Sequence, residues 1–86
     1  MIMGKASNLQ RKIVKYINGL YRGFAFVVKQ APGGHRGIAD ILGVYSGTPL
    51  AIEVKTGRDE LSELQAVFLA DWFEAGGAYC VAHSLE

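Results

Sequence analysis

One cysteine, two prolines and no long apolar run are what this 86-residue chain has to work with, and each scarcity closes off a class of protein. A lone Cys80 excludes an internal disulfide and any zinc site built on several thiolates. Its apolar surroundings predict a core position. No hydrophobic stretch approaches the roughly 18–20 residues needed to cross a bilayer, and Met1-Ile2-Met3-Gly4 carries no signal-peptide pattern. The expectation is a soluble, cytoplasmic protein with no membrane role. Repeats, low-complexity tracts and linkers are absent too, so residues 1–86 read as one domain. At that size a single core is marginal and self-association is common.

Acids are missing where they would matter most. Lys5, Arg11, Lys12, Lys15, Arg22, Lys29 and Arg36 all precede the first acid, Asp40. The first 39 residues carry +7 and the remainder −6, a division hidden by the formal net charge of +1. Such asymmetry suits a surface that meets a polyanion, although a solvated basic helix has the same composition.

What is present falls into six elements. Leu9, Ile13, Tyr16, Ile17 and Leu20 recur at helical spacing and predict an amphipathic helix over Ala6 to Leu20. Phe24 to Val28 is strand-like by its aromatic and β-branched content. Gln30 to Gly37, with Pro32 and three glycines, is a loop. Ile38–Tyr45 and Leu50–Lys55 predict two strands around a tight Ser46-Gly47-Thr48-Pro49 turn. Leu61, Leu64, Phe68, Trp72 and Ala75 predict a second helix ended by Gly76-Gly77. Ala78 to Ala82 reads as a last buried strand. The order α-β-β-β-α-β, with a helix long enough to cross between parallel strands, implies an α/β fold: a central mixed sheet flanked by helices.

Charges on an apolar strand need a reason, and Glu53-Val54-Lys55 supplies two. Side chains alternate along a strand, so Glu53 and Lys55 share a face. With a two-residue Gly47-Thr48 loop, Asp40 falls opposite Lys55 and diagonal to Glu53 on that same face, whereas a three-residue loop reverses the parity. Two carboxylates and an ammonium then converge, as a divalent-metal site would require. An exposed cross-strand ion pair, contributing about 0–1 kcal/mol, is the competing explanation.

Gly37-Ile38-Ala39-Asp40-Ile41, Ala51-Ile52-Glu53-Val54-Lys55 and Leu61-Ser62-Glu63-Leu64-Gln65 with Phe68-Leu69, taken in order, resemble the VRR-NUC family of the PD-(D/E)XK nuclease superfamily. The resemblance implies a restriction-endonuclease-like fold and cleavage of DNA phosphodiesters with Mg²⁺ or Mn²⁺. Small stand-alone members, phage ones among them, look like homodimers acting on branched DNA such as Holliday junctions. By this likeness Asp40 and Glu53 are metal ligands with the Val54 carbonyl a third, and Lys55 orients or activates the attacking water. Gln65 corresponds to the family's helix glutamine beside the site. Ser62-x-x-Gln65 is also a capping-box pattern, which accounts for Gln65 without any catalytic part. The sequence departs from the family on the first helix, where Ser7, Asn8 or Gln10 stands in place of a glutamate. Tight binding of a second metal is therefore not expected.

Phosphate contacts are expected of Arg36 and His35, in the glycine-rich loop before Asp40, and of Lys12, Lys15, Lys29 and Arg58. Each one taken singly has the composition of an ordinary surface charge. Trp72, Phe68, Phe24 and Phe26 fall on inferred buried stripes and are expected in the core. Two other classes compete with an endonuclease. One is a nucleic-acid-binding or assembly domain that keeps the nuclease fold without cutting, and the other is a purely structural interaction module.

Overall fold

The computed structural model describes residues 5–84. Met1 to Gly4, where the sequence carries no targeting pattern, lie outside them, as do Leu85 and Glu86. Helix α1 spans Lys5–Asn18, strands β1 (Gly23–Val27), β2 (Ile41–Tyr45) and β3 (Thr48–Thr56) follow, then helix α2 (Glu63–Glu74) and strand β4 (Ala78–Ser84). The strands form one sheet in the order β1-β2-β3-β4. β1, β2 and β3 pair antiparallel, while β3 and β4 pair parallel through the α2 crossover. The expected α/β class, element order and mixed sheet are all present.

Each helix covers one face. On the first, Ala6, Leu9, Ile13, Val14 and Ile17 of α1 pack on Ala25, Ile41, Leu50, Ile52 and Val54. On the other, Leu61, Phe68, Leu69 and Trp72 pack with Ala39, Leu42, Ala51 and Val81. Val54 and Ala51 differ in parity, so period-2 alternation sends them to opposite layers. Asn18 ties the end of α1 to β1: its Oδ1 accepts from the Ala25 N–H at 2.8 Å and its Nδ2 donates to the Ala25 carbonyl at 3.1 Å. Trp72 ties α2 to β4 by donating from Nε1 to the Ala78 carbonyl at 3.0 Å.

Several expectations are corrected. The turn is Ser46-Gly47, closed by Tyr45 opposite Thr48, and not Gly47-Thr48. Both turn residues have positive φ, 48° and 87°, as a twisted two-residue hairpin demands. β-Branched Thr48 would be strained there. Tyr16 is 69% exposed and Val14 takes its place on the buried stripe of α1. Phe24 and Phe26 are exposed at 63% and 47%, because they stand on the α2 side of β1, beyond the residues α2 covers. Cys80 is exposed and free, not core. The chain between Ile38 and Asp40 is not strand, since β2 starts at Ile41.

Candidate metal and phosphate site

Asp40 stands where β2 begins, and its position is fixed from both sides. Its backbone carbonyl accepts from the Val28 N–H at 2.8 Å, which carries the β1–β2 register one step further. Its carboxylate Oδ2 accepts from the Val54 N–H at 2.8 Å. The side chain thus replaces the ladder partner that β3 loses once β2 has ended. A strand residue turns its N–H and C=O to the same side, so the Val54 carbonyl faces the Asp40 side as well. The approach to Asp40 depends on Gly37, at φ 72°. A Cβ there would overlap the Leu64 carbonyl and come within 2.9 Å of the Gln65 N–H. Only glycine lets this loop lie against the first turn of α2.

The β2–β3 register pairs Ile41 with Ile52, and one further step sets Asp40 opposite Glu53, with Lys55 diagonal. The sequence reading had these two exchanged. Parity was preserved because the actual turn also has two residues, and a slip of two leaves every side chain on its face. Directly opposed Cβ atoms are about 4.5–5.5 Å apart. The two carboxylates are therefore closer neighbours than the sequence implied.

Glu53 is the only buried charged residue among those described, 1% exposed. Oε1 accepts from Gln65 Nε2 at 3.2 Å and lies 4.0 Å from Lys55 Nζ. Oε2 is buried with no hydrogen-bond partner. Burial, then the adjoining Asp40 carboxyl, raise the Glu53 pKa from 4.5 to about 7, against the opposing pull of Lys55. A buried carboxylate beside another, with one oxygen unmatched, costs free energy unless a proton or a cation joins them.

Gln65 links the remaining parts. Its Oε1 accepts from Lys55 Nζ at 2.8 Å and from the Ser62 N–H at 2.9 Å, while its own N–H donates to Ser62 Oγ at 3.2 Å. The capping box is real, and the same amide holds the ammonium in place. Capping and the contact with Lys55 are made by one side chain. Lys55 remains 14% exposed at its side chain and has donors left for a ligand.

Asp40, Glu53, Lys55, Gln65 and Val54 are thus brought together. The basic residues divide. Lys29 follows Val28 directly, Arg58 follows the end of β3, and Arg36 and His35 lie in the loop before Asp40; all four are exposed at the carboxylate end of the sheet. His35 Nδ1 lies 2.9 Å from the Arg36 carbonyl, and its ring meets Phe68 edge-on at 5.5 Å. Lys12 and Lys15 are exposed on α1, beside Tyr16, Gly19 and Leu20. They lie on the opposite layer and do not reach the carboxylates.

His83 was missed. It is exposed and in register with Lys55 on the parallel neighbour β4. Only the β3–β4 pairing reveals it, and the predicted strand stopped at Ala82. No other His, Cys, Asp or Glu makes a three-residue metal-holding group here among the described residues. One hard cation nonetheless fits, since Mg²⁺ typically takes one or two carboxylates and keeps several waters. Comparison with known protein families, curated proteins and solved structures finds no match.

Proposed function

We propose that this protein is a divalent-metal-dependent endonuclease of the restriction-endonuclease-like, VRR-NUC type, hydrolysing DNA phosphodiesters with Mg²⁺ or Mn²⁺. One observation carries the reading: a fully buried Glu53 whose Oε2 has no partner, set against Asp40 with Lys55 alongside. Asp40, Glu53 and the Val54 carbonyl would hold the ion, which when bound supplies charge neutralisation and a water of lowered pKa.

The chain's own residues then divide the work. Lys55, tethered by Gln65, places a compact positive charge where a non-bridging phosphate oxygen and the attacking water must sit. It offsets the negative charge that builds on the phosphoryl oxygens. Gln65 holds the ammonium 4.0 Å from Glu53 Oε1, and Glu53 Oε2 stays open to the cation. Arg36, His35, Lys29 and Arg58 are placed to contact phosphates along the strand, a mode that is salt-dependent and largely indifferent to sequence. Lys12 and Lys15 would serve only DNA that wraps onto the α1 layer.

The substrate class we favour is branched DNA, cut by a homodimer, because paired incisions need two sites related by symmetry. Exposed Phe24, Phe26 and Val44 give the surface apolar area that an association could cover. The decisive assay is a panel of labelled junctions, flaps and duplexes with Mg²⁺, Mn²⁺ or chelator. Wild-type protein cleaves only with metal, Lys55→Ala loses at least about a hundredfold of that rate, as loss of one transition-state donor entails, and Asp40→Asn loses at least as much through loss of the ion. Binding without metal-stimulated cleavage would instead support a non-catalytic nucleic-acid-binding domain, and salt-insensitive or absent binding a structural module.

A further inference from the structure

Around Lys55, polar groups gather on neighbouring strands at the same end of the sheet. Asp40 precedes β2, Glu53 and Lys55 stand on β3, and His83 stands on β4 in register with Lys55. Neighbours at one level of a ladder turn to the same face, with strands roughly 4.7–4.9 Å apart. His83 therefore flanks Lys55 on the side away from Asp40.

A cleft of about 440 Å³ opens there, lined by Lys55, Asp59, Glu60, Leu61, Val81 and His83. That volume is in the range of small-ligand sites. Its two sides differ chemically. The strands contribute an ammonium, an imidazole and an aliphatic surface; the loop before α2 contributes Leu61 and two acids. A phosphate suits Lys55 and His83, and an uncharged ring suits Leu61 and Val81. Asp59 and Glu60 repel any second phosphate beside the first. These walls suit a ligand with one anionic group and an uncharged body, which a nucleotide supplies as phosphate, sugar and base.

We infer that this cleft seats one nucleotide of the DNA strand adjoining the scissile bond, its phosphate between Lys55 and His83 and its sugar and base against Leu61 and Val81. The inference rests on the nuclease reading for its ligand, yet its test does not require cleavage. The isotope-labelled full chain is titrated with thymidine 5′-monophosphate, thymidine and thymidine 5′-triphosphate while backbone amide resonances are followed. The monophosphate shifts Lys55, Leu61, Val81 and His83, binds about tenfold tighter than thymidine, as a charge-assisted hydrogen bond allows, and binds no more weakly than the triphosphate.

His83→Ala, at an exposed position, weakens monophosphate binding about tenfold. Asp59→Asn with Glu60→Gln strengthens triphosphate binding relative to monophosphate. Shifts centred elsewhere, a monophosphate affinity unchanged by His83→Ala, or a triphosphate-to-monophosphate ratio unchanged by the double variant, overturn the inference. Cleavage by wild-type protein together with that result removes the cleft and leaves the nuclease. Nucleotide bound at the cleft without metal-dependent cleavage leaves the cleft and removes the nuclease.

Discussion

Glu53 is held in a state that water would not choose. Its native pKa of about 7 exceeds the ordinary 4.5 because burial and Asp40 both oppose its charge. Below pH 4.5 the carboxyl is protonated in folded and unfolded chains alike, and no penalty arises. Between about 4.5 and 7 the unfolded chain gives up a proton that the native state retains, so this group's contribution to stability falls as pH rises and levels off above 7. In chelator, the unfolding free energy of wild type minus that of Glu53→Gln should decline across this window. A difference that stays flat contradicts the burial account. Gln65 admits a second separation of roles. Ser62→Ala removes the capping oxygen and should cost about 1 kcal/mol of stability with cleavage largely retained, because Gln65 Oε1 still accepts from Lys55. Gln65→Ala should lose both stability and rate, and equal rates in the two variants would mean that the Lys55 contact does not matter. The convergence of Asp40, Glu53 and Lys55 was legible in the sequence, since it needs only parity and an even-length turn. Whether Glu53 or Lys55 stands opposite Asp40 was not legible from parity, because that depends on whether Ser46 or Thr48 takes the positive φ of the turn.

At the scale of elements, the site exists because three segments end together. β2 starts one residue after Asp40, β3 continues past it to Thr56, and α2 begins with its capping box beside Gly37. Gly37→Ala should therefore destabilise by more than about 1 kcal/mol, since its φ is positive and its Cβ would strike the Leu64 carbonyl. Its amide resonances should change around Asp40 and Gln65 together. Cleavage and stability both equal to wild type would show that the loop does not rely on this close approach. Helix and strand identities were readable from periodicity, but burial was less so. Phe24 and Phe26 have a buried-strand composition and yet face solvent, because α2 lies over β3 and β4 and stops short of β1. Tyr16 obeys an i+3 step from Ile13 but leans off the face that Val14 and Ile17 share. The length of β4 was unreadable for a different reason: His83 joins the strand through its parallel partner Lys55, and no local pattern announces it.

For the whole molecule, the two layers assign different work to the two halves of the sequence. The basic excess of the first 39 residues does not gather at one place: Lys29 and Arg36 reach the carboxylate end, whereas Lys12 and Lys15 stay on the α1 layer. The acidic remainder supplies the buried carboxylate Glu53 and the cleft residues Asp59 and Glu60. Charge asymmetry along the chain thus becomes a sheet end where two adjoining carboxylates are flanked by the exposed Lys29, Arg36 and Arg58, which is the arrangement the nuclease proposal needs. Among the described residues, no helix is long and apolar enough to cross a membrane. Everything functional depends on whether Asp40 and Glu53 accept a divalent ion between them. Calorimetric titration of Mn²⁺ into the metal-free chain at pH 7.5 measures this directly. One ion should bind per chain, retained in Lys55→Ala and abolished in both Asp40→Asn and Glu53→Gln. No binding at millimolar Mn²⁺, or binding that survives loss of either carboxylate, would contradict it.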